Sequence, residues 1–573
     1  MRIAQAARRV GGYLQHILFM ILITSFSRER TASPALVSLL TAIWIVLFDN
    51  SSFWLTFVRA QDAMNAAEVA ATTGLALVLI VSFAAILRPF VVRRFGIILM
   101  AVLLVVSAGV AHYVDAWGVL FDKGLIRNMV QTDVREIREL ASWPALLDIA
   151  WRGLLPAALL WFITLRSSSL GETLAQTFGL AFIAALTAAA VLASSYGILA
   201  PTFRNHRELR FQLVPTNYIN AVYGYFKGSQ PKPSALTPIA PDAVRTSAIS
   251  ERPLVLVLIV GETARAANFS LGGYARDTNA ALNKTGVLYF DKVVSCGTDT
   301  ATSLPCMFSD LGAEKFSVSK APFRENALDV LQRTGINIEW IDNNSGCKGV
   351  CARVPTQQLE TTGATALCSD GACLDEVLVT ALDGSLKRIN RDSAVILHQM
   401  GSHGPSYFKR YPAPGRYQPT CDTNRIQGCD KAALVNTYDN SIDYTSQVIA
   451  SVIEKAKAQQ DDMDIAVVYV SDHGESLGER NIYLHGLPTM LAPEEQTRVP
   501  MLAWLSDGAQ RRLRLSSACL AKVASTPLSH DNLYPTLLGF FGVQSKSYRP
   551  HEDLWAKARN DPQCFSKERL TLK

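Results

Sequence analysis

Long apolar segments fill the first 200 residues, and short apolar runs bounded by polar residues replace them afterwards. A spanning helix needs roughly 20 apolar residues to cross a bilayer core. The segments that approach this length lie near 34–57, 69–88, 95–113, 146–165 and 175–199. Buried helices of a soluble domain are the less favoured alternative, so the pattern predicts five transmembrane helices within residues 31–200.

A shorter apolar segment, residues 13–23, follows Arg8 and Arg9. The segment is below spanning length. It is similar to the core of a signal peptide, but it has no clear small-residue cleavage site. We therefore expect residues 1–30 to form a cytoplasmic N-terminal extension that does not span the membrane.

Arginines set the predicted orientation of the five helices. The positive-inside rule assigns arginine-rich connections to the cytoplasm. Such residues precede the first helix and fill the second connection: Arg8, Arg9, Arg28, Arg30, Arg88, Arg93 and Arg94. Five helices then leave every residue after 200 on the outer side. The outer 114–145 connection carries basic residues too, a contrary signal that its acidic residues temper.

Three short β-branched runs after residue 250 are each followed by acidic or histidine residues. The runs 254–260, 394–397 and 465–470 lack alternation, as do strands buried on both faces of a parallel sheet. Function gathers beyond the carboxyl ends of such strands. The strand ends here deliver Glu262, His398, His403, Asp472 and His473. Two carboxylates and several imidazoles on one edge indicate a divalent-metal site, although Asp472 alone could instead cap a helix.

The segment between the apolar half and these strands divides into two parts. Residues 201–227 mix basic with apolar side chains, which suits a membrane-surface segment and equally a solvated helix. Residues 228–250 are rich in proline and predict a linker. We therefore divide the chain into a 1–30 extension, a 31–200 transmembrane domain, a 201–250 surface segment and linker, and a 251–573 outer domain. Alternating strands and helices in that domain predict an α/β sheet covered by helices.

The ten cysteines are confined to the outer domain: Cys296, Cys306, Cys347, Cys351, Cys368, Cys373, Cys421, Cys429, Cys519 and Cys564. An even number in one region indicates disulfides in an oxidising compartment. Sequential pairing would give five bridges, but the sequence does not fix the connectivity. A zinc–cysteine site built from the four cysteines at 347–373 is the alternative. The net charge of +6 is spread over both signs and gives no nucleic-acid signature.

Residues 295–306 (SCGTDTATSLPC) place several hydroxyl groups between two cysteines. A hydroxyl bound to a divalent ion is acidified and becomes an alkoxide nucleophile. A helix that begins just after it would aim backbone N–H groups at an incoming phosphate. A hydroxyl-rich capped loop is the alternative. Composition leaves the choice open among Thr298, Thr300, Thr302 and Ser303.

Several motifs resemble those of the lipid A phosphoethanolamine transferases, the family that includes the mobile colistin-resistance enzymes. They are GETARAANFSLGGYARDTN (261–279), SCGTDTATSLPCMFS (295–309), DNNSGCKG (342–349), HQMGSHGPSY (398–407), SDHGESLGE (471–479) and YLHG (483–486). The ordered match covers the chain from about residue 31. The resemblance implies five transmembrane helices in a bacterial inner membrane, followed by a periplasmic alkaline-phosphatase/sulfatase-like α/β domain.

The resemblance also implies roles for individual residues. Thr300 matches the nucleophile that carries phosphoethanolamine covalently. The residues that match zinc ligands are Glu262, Thr300, Asp472 and His473, for one firmly bound Zn²⁺, and a second ion is allowed. The residues that match substrate-binding positions are Asn128, Glu136, Asn344, Lys348, His403 and His485. Asp299 departs from the family pattern and adds negative charge beside the nucleophile.

The implied reaction transfers phosphoethanolamine from phosphatidylethanolamine to a phosphate of lipid A, lowering negative surface charge and giving polymyxin resistance. One alternative acceptor is a core sugar of lipopolysaccharide or another glycan. A membrane-tethered phosphatase/sulfatase-like hydrolase and a receptor with a degenerate enzyme domain are further alternatives. The intact ligand set argues against the receptor, and membrane tethering argues against a freely diffusing hydrolase. We expect a monomer whose partners are membrane lipids and not nucleic acid.

Overall fold

A computed structural model describes residues 31–61, 65–131, 142–228, 235–246, 250–359, 367–369 and 372–560. The predictions made for residues 1–30, Glu136 and Cys564 lie outside this described part. The chain divides into two compact units. One takes the described residues of Met1–Ala116 and Trp143–Ile219, and the other those of Trp117–Ser142 and Asn220–Lys573. The second unit therefore includes a segment that lies between two predicted membrane spans.

Helices occupy most of the described chain before residue 229. They are α1 Pro34–Phe48, α2 Ser51–Arg59, α3 Ala66–Leu87, α4 Arg93–Trp117, α5 Lys123–Gln131, α6 Trp143–Ile149, α7 Leu155–Trp161, α8 Leu170–Asn205, α9 Leu209–Gln212 and α10 Thr216–Gly228. Polar residues begin several of them. Asn65 accepts hydrogen bonds from the first turn of α3, and Ser169 accepts one from Glu172 in α8. Such caps satisfy backbone N–H groups that have no partner inside the helix.

Among the described residues, three helices are long and apolar enough to cross a membrane: Ala66–Phe90, Arg93–Trp117 and Leu170–Asn205. The pair α1 and α2, bent by 56°, adds a fourth if it is one span. The segment predicted near 146–165 is helical, but the π-helical turn Ala150–Leu154 separates α6 from α7. A π turn interrupts the regular ladder of hydrogen bonds. The count of five transmembrane helices therefore stays a prediction.

An eight-stranded sheet forms the centre of the second unit. Its strands are β1 Leu254–Gly261, β2 Leu288–Val294, β3 Asn337–Asp342, β4 Thr356–Gln358, β5 Ser393–His398, β6 Asp464–Ser471, β7 Arg498–Leu505 and β8 Leu528–Ser529. Their spatial order is β8-β2-β7-β6-β1-β5-β3-β4. The three predicted buried strands are confirmed as the neighbours β5, β1 and β6, which run parallel with every residue buried.

The sheet is mixed, so the prediction of a parallel sheet is wrong for one strand. β7 runs antiparallel to both β6 and β2. The described chain between β6 and β7 has no helix long enough to make a crossover. It has only the short elements Ser476–Leu477, Glu479–Asn481, Tyr483–Leu484 and α16 Glu494–Thr497. A parallel connection needs a crossover of a dozen or more residues, usually helical. The apolar run of β7 resembles a parallel strand in sequence, so the direction could not be deduced from composition.

Helices cover the sheet and complete its core. They are α11 Thr300–Met307, α12 Gly312–Lys315, α13 Ala327–Arg333, α14 Glu376–Leu386, α15 Lys431–Ala458, α16 Glu494–Thr497, α17 Asp507–Leu513, α18 Ser517–Ala524, α19 Leu533–Phe540 and α20 Leu554–Asn560. One apolar cluster joins alternate residues of the central strands, such as Leu258 and Val468, to Leu331 of α13 and Leu537 of α19. This packing fixes the strand ends that carry the predicted site.

Four disulfides join sequential cysteine pairs in this unit: Cys296–Cys306, Cys347–Cys351, Cys368–Cys373 and Cys421–Cys429. The alternative of a zinc–cysteine site at 347–373 is therefore wrong, because a disulfide sulfur is no longer a thiolate ligand. Cys519 is also disulfide-bonded, and Cys564 lies outside the described residues.

Candidate active site

Glu262, Asp472 and His473 meet at the carboxyl ends of β1 and β6. The two strands pair in register up to Gly261 opposite Ser471, so the residues that follow emerge side by side. One ligand atom from each of the three side chains lies within 4.8 Å of the other two, and all three residues are fully buried. No helix follows Asp472 among the described residues around it, so the helix-cap alternative is wrong.

The two oxygens of Asp472 have different surroundings. Oδ1 accepts hydrogen bonds from the N–H groups of Thr263, at 3.1 Å, and His473, at 2.7 Å. Oδ2 is buried and accepts no hydrogen bond from any residue in the described part of the chain. A buried carboxylate oxygen without a donor is costly unless a cation satisfies it. Oδ2 therefore has the surroundings of a metal ligand.

His473 is oriented to offer Nε2 to the same point. Its Nδ1 lies 2.9 Å from the carbonyl oxygen of Gly474, which can only accept, so Nδ1 carries the proton. In the neutral ring Nε2 then has the lone pair that can bind a cation, and it lies 3.2 Å from Oε1 of Glu262. A backbone carbonyl that fixes the tautomer of a ligand histidine is common in metal sites. Two carboxylates and one imidazole are ligand types that zinc takes.

The pKa values of the cluster report its excess of negative charge. Burial, and then the charge of Glu262, raises the pKa of Asp472 to about 6. Burial alone would lower the pKa of His473, but Asp472 and Glu262 outweigh it and raise that pKa to about 10. The buried carboxylates therefore stabilise a positive charge among them. A divalent cation fits this field as well as this donor set.

Thr300 is the hydroxyl that faces this cluster. It is the first residue of α11, and its Oγ1 lies 3.0 and 3.1 Å from the two oxygens of Glu262 and 3.3 Å from Nε2 of His473. Asp299 precedes it as the N-cap, with Oδ1 accepting from the N–H of Thr302 at 2.9 Å. The carboxylate thus closes the first turn of α11 and orients Thr300.

The other three candidate hydroxyls are engaged elsewhere. Thr298 donates to the carbonyl of Leu487 at 2.5 Å, and Ser303 donates to the carbonyl of Asp472. Thr302 accepts from Nη2 of Arg127 at 2.8 Å. Composition left four candidate nucleophiles. Of these, Thr300 is the one whose hydroxyl points at Glu262 and His473, so the geometry favours Thr300.

Arg127 lies beside the unusual charge of Asp299. Its Nη2 is 3.8 Å from Oδ1 of Asp299, and both side chains are largely buried. Arg127 belongs to α5, in the segment that joins the second unit although it lies between predicted spans. Sequence reasoning missed this residue. The sequence did give a hint, because Arg127 lies in a connection predicted to be outside the membrane, where the positive-inside rule disfavours basic residues.

Asn344 contacts the cluster of Glu262, Asp472 and His473, whereas Lys348 contacts Ser345. The Nδ2 group of buried Asn344 donates to Oε2 of Glu262 at 2.9 Å and to the carbonyl of Gln399 at 2.8 Å. Lys348 donates to Ser345 Oγ at 3.0 Å. The predicted substrate residue Asn344 therefore holds a carboxylate of the cluster, whereas Lys348 lines a neighbouring cavity.

His403, His485 and His473 form a row of imidazoles. The ring centroids of His473 and His485 are 4.4 Å apart, and those of His485 and His403 are 5.6 Å apart. Nδ1 of His485 lies 3.2 Å from Oε1 of Glu475. Against the lowering effect of burial, Glu475 raises the pKa of His485. The row brings both predicted substrate histidines next to the carboxylate cluster.

Two contacts that the sequence did not suggest hold these histidine loops. Thr298 clamps the His485 loop, because its carbonyl accepts from the N–H of Gly486 at 2.7 Å while its hydroxyl bonds Leu487. Buried Asp375 accepts from the N–H groups of Met400 and Gly401, both at 2.8 Å. Gly401 has φ +54°, and a Cβ there would meet the carbonyl oxygen of Glu262 at 2.5 Å. The His403 loop therefore needs glycine to lie against β1.

A cavity of about 580 Å³ adjoins α11 in the second unit. Polar residues on its walls include Lys123, Arg127, Asp299, Thr302 and Lys348, and Phe316, Pro322 and Leu487 add apolar surface. Asn128 also lies nearby, since a Cβ added at Gly486 would be 3.8 Å from its Nδ2. The cavity combines cationic groups with apolar walls, which suits an anionic ligand that also has an apolar part.

Comparisons with known proteins agree with this arrangement. Residues 255–543 match the sulfatase family, and residues 79–229 match the family described as phosphoethanolamine transferase EptA/EptB. Phosphoethanolamine transferase EptA of Escherichia coli K12 is 40% identical over 467 residues, covering 80% of this chain and 85% of that protein. Phosphatidylethanolamine transferase Mcr-1 of Escherichia coli is 34% identical over 545 residues, covering 91% and 97%.

A solved structure extends the similarity over both units. The integral membrane protein lipooligosaccharide phosphoethanolamine transferase A of Neisseria meningitidis is 34% identical, with a TM-score of 0.87. The match covers 92% of this chain and 99% of that one. The outer domain accordingly has the predicted sulfatase-like fold, and the apolar helices match the membrane domain of that protein.

Proposed function

This chain belongs to the phosphoethanolamine transferase family, and we propose that it transfers phosphoethanolamine from phosphatidylethanolamine to a phosphate of lipid A. The observation that carries the proposal is the position of Thr300, at hydrogen-bond distance from both oxygens of Glu262 and from His473. A hydroxyl held between a carboxylate and an imidazole is placed to lose its proton and attack an electrophile.

Zinc is the cofactor that fits this cluster. Glu262, Asp472 and His473 would hold the ion with Thr300 as the fourth ligand, and these oxygen and nitrogen donors are types that zinc takes. When bound, zinc lowers the pKa of a coordinated hydroxyl and offsets negative charge on phosphoryl oxygens. Oδ2 of Asp472 supports this assignment because it is buried without a donor in the described chain. The imidazoles of His403 and His485 would be the ligands of a second ion, if one binds.

The first chemical step forms a bond between Thr300 and the donor lipid. The Oγ1 atom of Thr300 attacks phosphorus, the hydroxyl proton passes to the Glu262 carboxylate, and the bond from phosphorus to the glycerol oxygen breaks. Diacylglycerol leaves after taking a proton from His485 or His403. The enzyme then carries phosphoethanolamine on Thr300, which splits one transfer into two displacements.

The second step returns the enzyme to its starting state. An oxygen of a lipid A phosphate attacks the same phosphorus and gives its proton to the histidine that protonated diacylglycerol. The bond to Thr300 breaks as its oxygen regains the proton held by Glu262. Protonated His403 and His485 would place positive charge beside the phosphoryl oxygens, and Lys348 would add positive charge from the neighbouring cavity. The amino end of α11 adds N–H groups and a favourable helix dipole at that point.

Both substrates are lipids, which accounts for a catalytic unit tethered to apolar helices. We place the protein in the bacterial inner membrane with its second unit in the periplasm, because the disulfides require an oxidising compartment. The product gains an ammonium group beside each modified phosphate. The ammonium offsets the negative charge of the phosphate and so weakens the electrostatic attraction between lipid A and cationic peptides. Polymyxin resistance follows from this weaker attraction.

Mass spectrometry of lipid A tests the proposal. Cells that express this protein should add one phosphoethanolamine group per modified lipid A, and cells with the Thr300→Ala variant should not. Addition to core sugar in place of lipid A would assign the alternative acceptor. Release of free phosphoethanolamine without any modified lipid would instead indicate a hydrolase and would contradict the proposal.

A further inference from the structure

His530 contacts the end of β2, the end of β6 and the helix α11. It is not a member of the cluster formed by Glu262, Asp472 and His473. It follows β8, which pairs with β2 at the edge of the sheet. Its side chain is buried, and its two ring nitrogens point to different elements. Nδ1 lies 3.1 Å from the backbone nitrogen of Cys296, and Nε2 lies 3.0 Å from the carbonyl oxygen of Ser471. The ring therefore bridges the end of β2 to the end of β6 across β7.

The chemistry of these partners fixes the tautomer. The backbone N–H of Cys296 can only donate, so Nδ1 must offer a lone pair. The carbonyl of Ser471 can only accept, so Nε2 must carry the hydrogen. Both bonds are made together only by the neutral ring protonated on Nε2. Burial also lowers the pKa of His530 to about 3, which keeps the ring neutral.

One bond ends at the residue before Asp472, and the other ends four residues before Thr300. The peptide group between Ser471 and Asp472 is held at both ends, because its carbonyl accepts from His530 and its N–H donates to Gly261 at 2.9 Å. That peptide group sets the direction of the Asp472 side chain. Cys296 opens the disulfide loop that leads into α11 and Thr300.

A third contact ties α11 to the same ring. Oγ of Ser303, in α11, lies 3.2 Å from Nδ1 of His530 and donates to the carbonyl of Asp472. Ser303 therefore hydrogen-bonds the nucleophile helix to the end of β6, and its hydroxyl also contacts the His530 ring. Such a link controls the distance between Thr300 and Asp472, on which the reaction depends.

We propose that His530 is a positioning residue with two separable tasks: its Nε2–H sets the Asp472 peptide group for metal binding, and its Nδ1 sets the Cys296 loop for attack by Thr300. The proposal rests on the proposed transfer through Thr300. It predicts that the two nitrogens affect two different measurements. A residue that merely filled space in the core would affect both measurements alike, through the amount of folded protein.

Two substitutions separate the nitrogens in the full-length protein purified in detergent. The amide oxygen of His530→Asn can replace Nδ1 as acceptor, and the longer amide of His530→Gln can replace Nε2 as donor. Zinc affinity is measured by competition with a chelator. The rate at which Thr300 acquires phosphoethanolamine is measured per zinc-loaded chain, so that poor folding lowers the yield and not the rate. The same substitutions at exposed His551 are matched controls.

Each variant should impair one measurement and spare the other. His530→Gln should keep zinc affinity within about threefold and slow the modification of Thr300 by about tenfold or more, whereas His530→Asn should weaken zinc binding by about tenfold and keep that rate within about threefold. Equal effects of both variants on both measurements, no effect, or failure of both to load zinc would overturn the proposal. Unmodified Thr300 in the wild-type protein would refute the proposed function instead and would leave the zinc comparison readable.

Discussion

The side-chain amide of Asn344 donates a 2.9 Å hydrogen bond to Oε2 of Glu262. The same amide group donates to the carbonyl of Gln399, so Asn344 ties the end of β1 to the loop after β5. Oxygens of Glu262 also face Thr300 at 3.0 and 3.1 Å. Asn344 therefore acts on the nucleophile through the carboxylate that they share, in addition to any contact with substrate.

Replacing Asn344 by Ala should weaken zinc binding while leaving the ligands in place. Loss of a group that orients a metal ligand typically costs about 10–100-fold in affinity or activity. We expect a loss in this range in a chelator competition, with the exposed Asn283→Ala variant as a matched control. Unchanged zinc affinity together with a raised KM for the donor lipid would instead restrict Asn344 to substrate binding.

Substitutions of the three proposed zinc ligands should differ in effect from substitutions of His403 and His485. Glu262→Ala, Asp472→Ala and His473→Ala should each lose both zinc and transfer, because each removes a ligand from a buried site. His403→Ala and His485→Ala should keep the first zinc ion and lose most turnover. Metal analysis of each purified variant, beside transfer from a labelled ethanolamine lipid, checks this difference. Stoichiometric zinc and normal transfer in Asp472→Ala would require a different site.

Asp299 should contribute to stability through its cap more than through its charge. Asp299→Ala removes the acceptor for the N–H of Thr302 and should lower the free energy of unfolding by about 1 kcal/mol. Asp299→Asn keeps an acceptor oxygen and should change that free energy by only a few tenths of a kcal/mol. Denaturant titrations of the two variants in detergent compare them directly. Equal losses would mean that the ion pair with Arg127, not the cap, stabilises α11.

The cysteines should contain no free thiol in protein that has passed through the periplasm. Eight cysteines form the four described bridges, and Cys519 is also bonded. Loss of one native bridge should cost about 2–5 kcal/mol of stability. Thiol labelling of denatured but unreduced protein counts the free cysteines and so tests the prediction, with reduced protein as the positive control. Two or more labelled cysteines per chain would contradict it.

Strand positions and ligand identities could be predicted from the sequence because local pattern determines them. The buried runs before Glu262, His398 and Asp472 became the central strands β1, β5 and β6. The parallel order of strands then brings their ends to one edge, whatever the details of packing. This argument needs only the apolar run and the polar residue that follows it.

Contacts across the fold could not be predicted in this way. Arg127 reaches Thr302 over 175 residues, and His530 reaches Cys296 over 234. No local pattern identifies the distant partners of these residues, although Arg127 lies in an outer connection where the positive-inside rule disfavours a basic residue. The antiparallel direction of β7 is likewise unmarked in its own sequence, because its apolar run resembles that of a parallel strand. Such features arise from tertiary packing, which sequence periodicity does not encode.

Detection of phosphoethanolamine on Thr300 tests the central claim most directly. The full-length protein is incubated with phosphatidylethanolamine in the absence of acceptor, and its peptides are analysed by mass spectrometry. The group should appear on Thr300, should be absent from Thr300→Ala, and should disappear when lipid A is added. Thr298→Ala, which loosens the His485 loop but keeps the nucleophile, should still acquire the group.

The account predicts one phosphoethanolamine group on Thr300, transferable to lipid A, and loss of transfer by roughly 10⁴-fold or more in Thr300→Ala, as in other enzymes deprived of their nucleophile. The group found on Thr298, Thr302 or Ser303, or lipid A modified at a normal rate by Thr300→Ala, would contradict it.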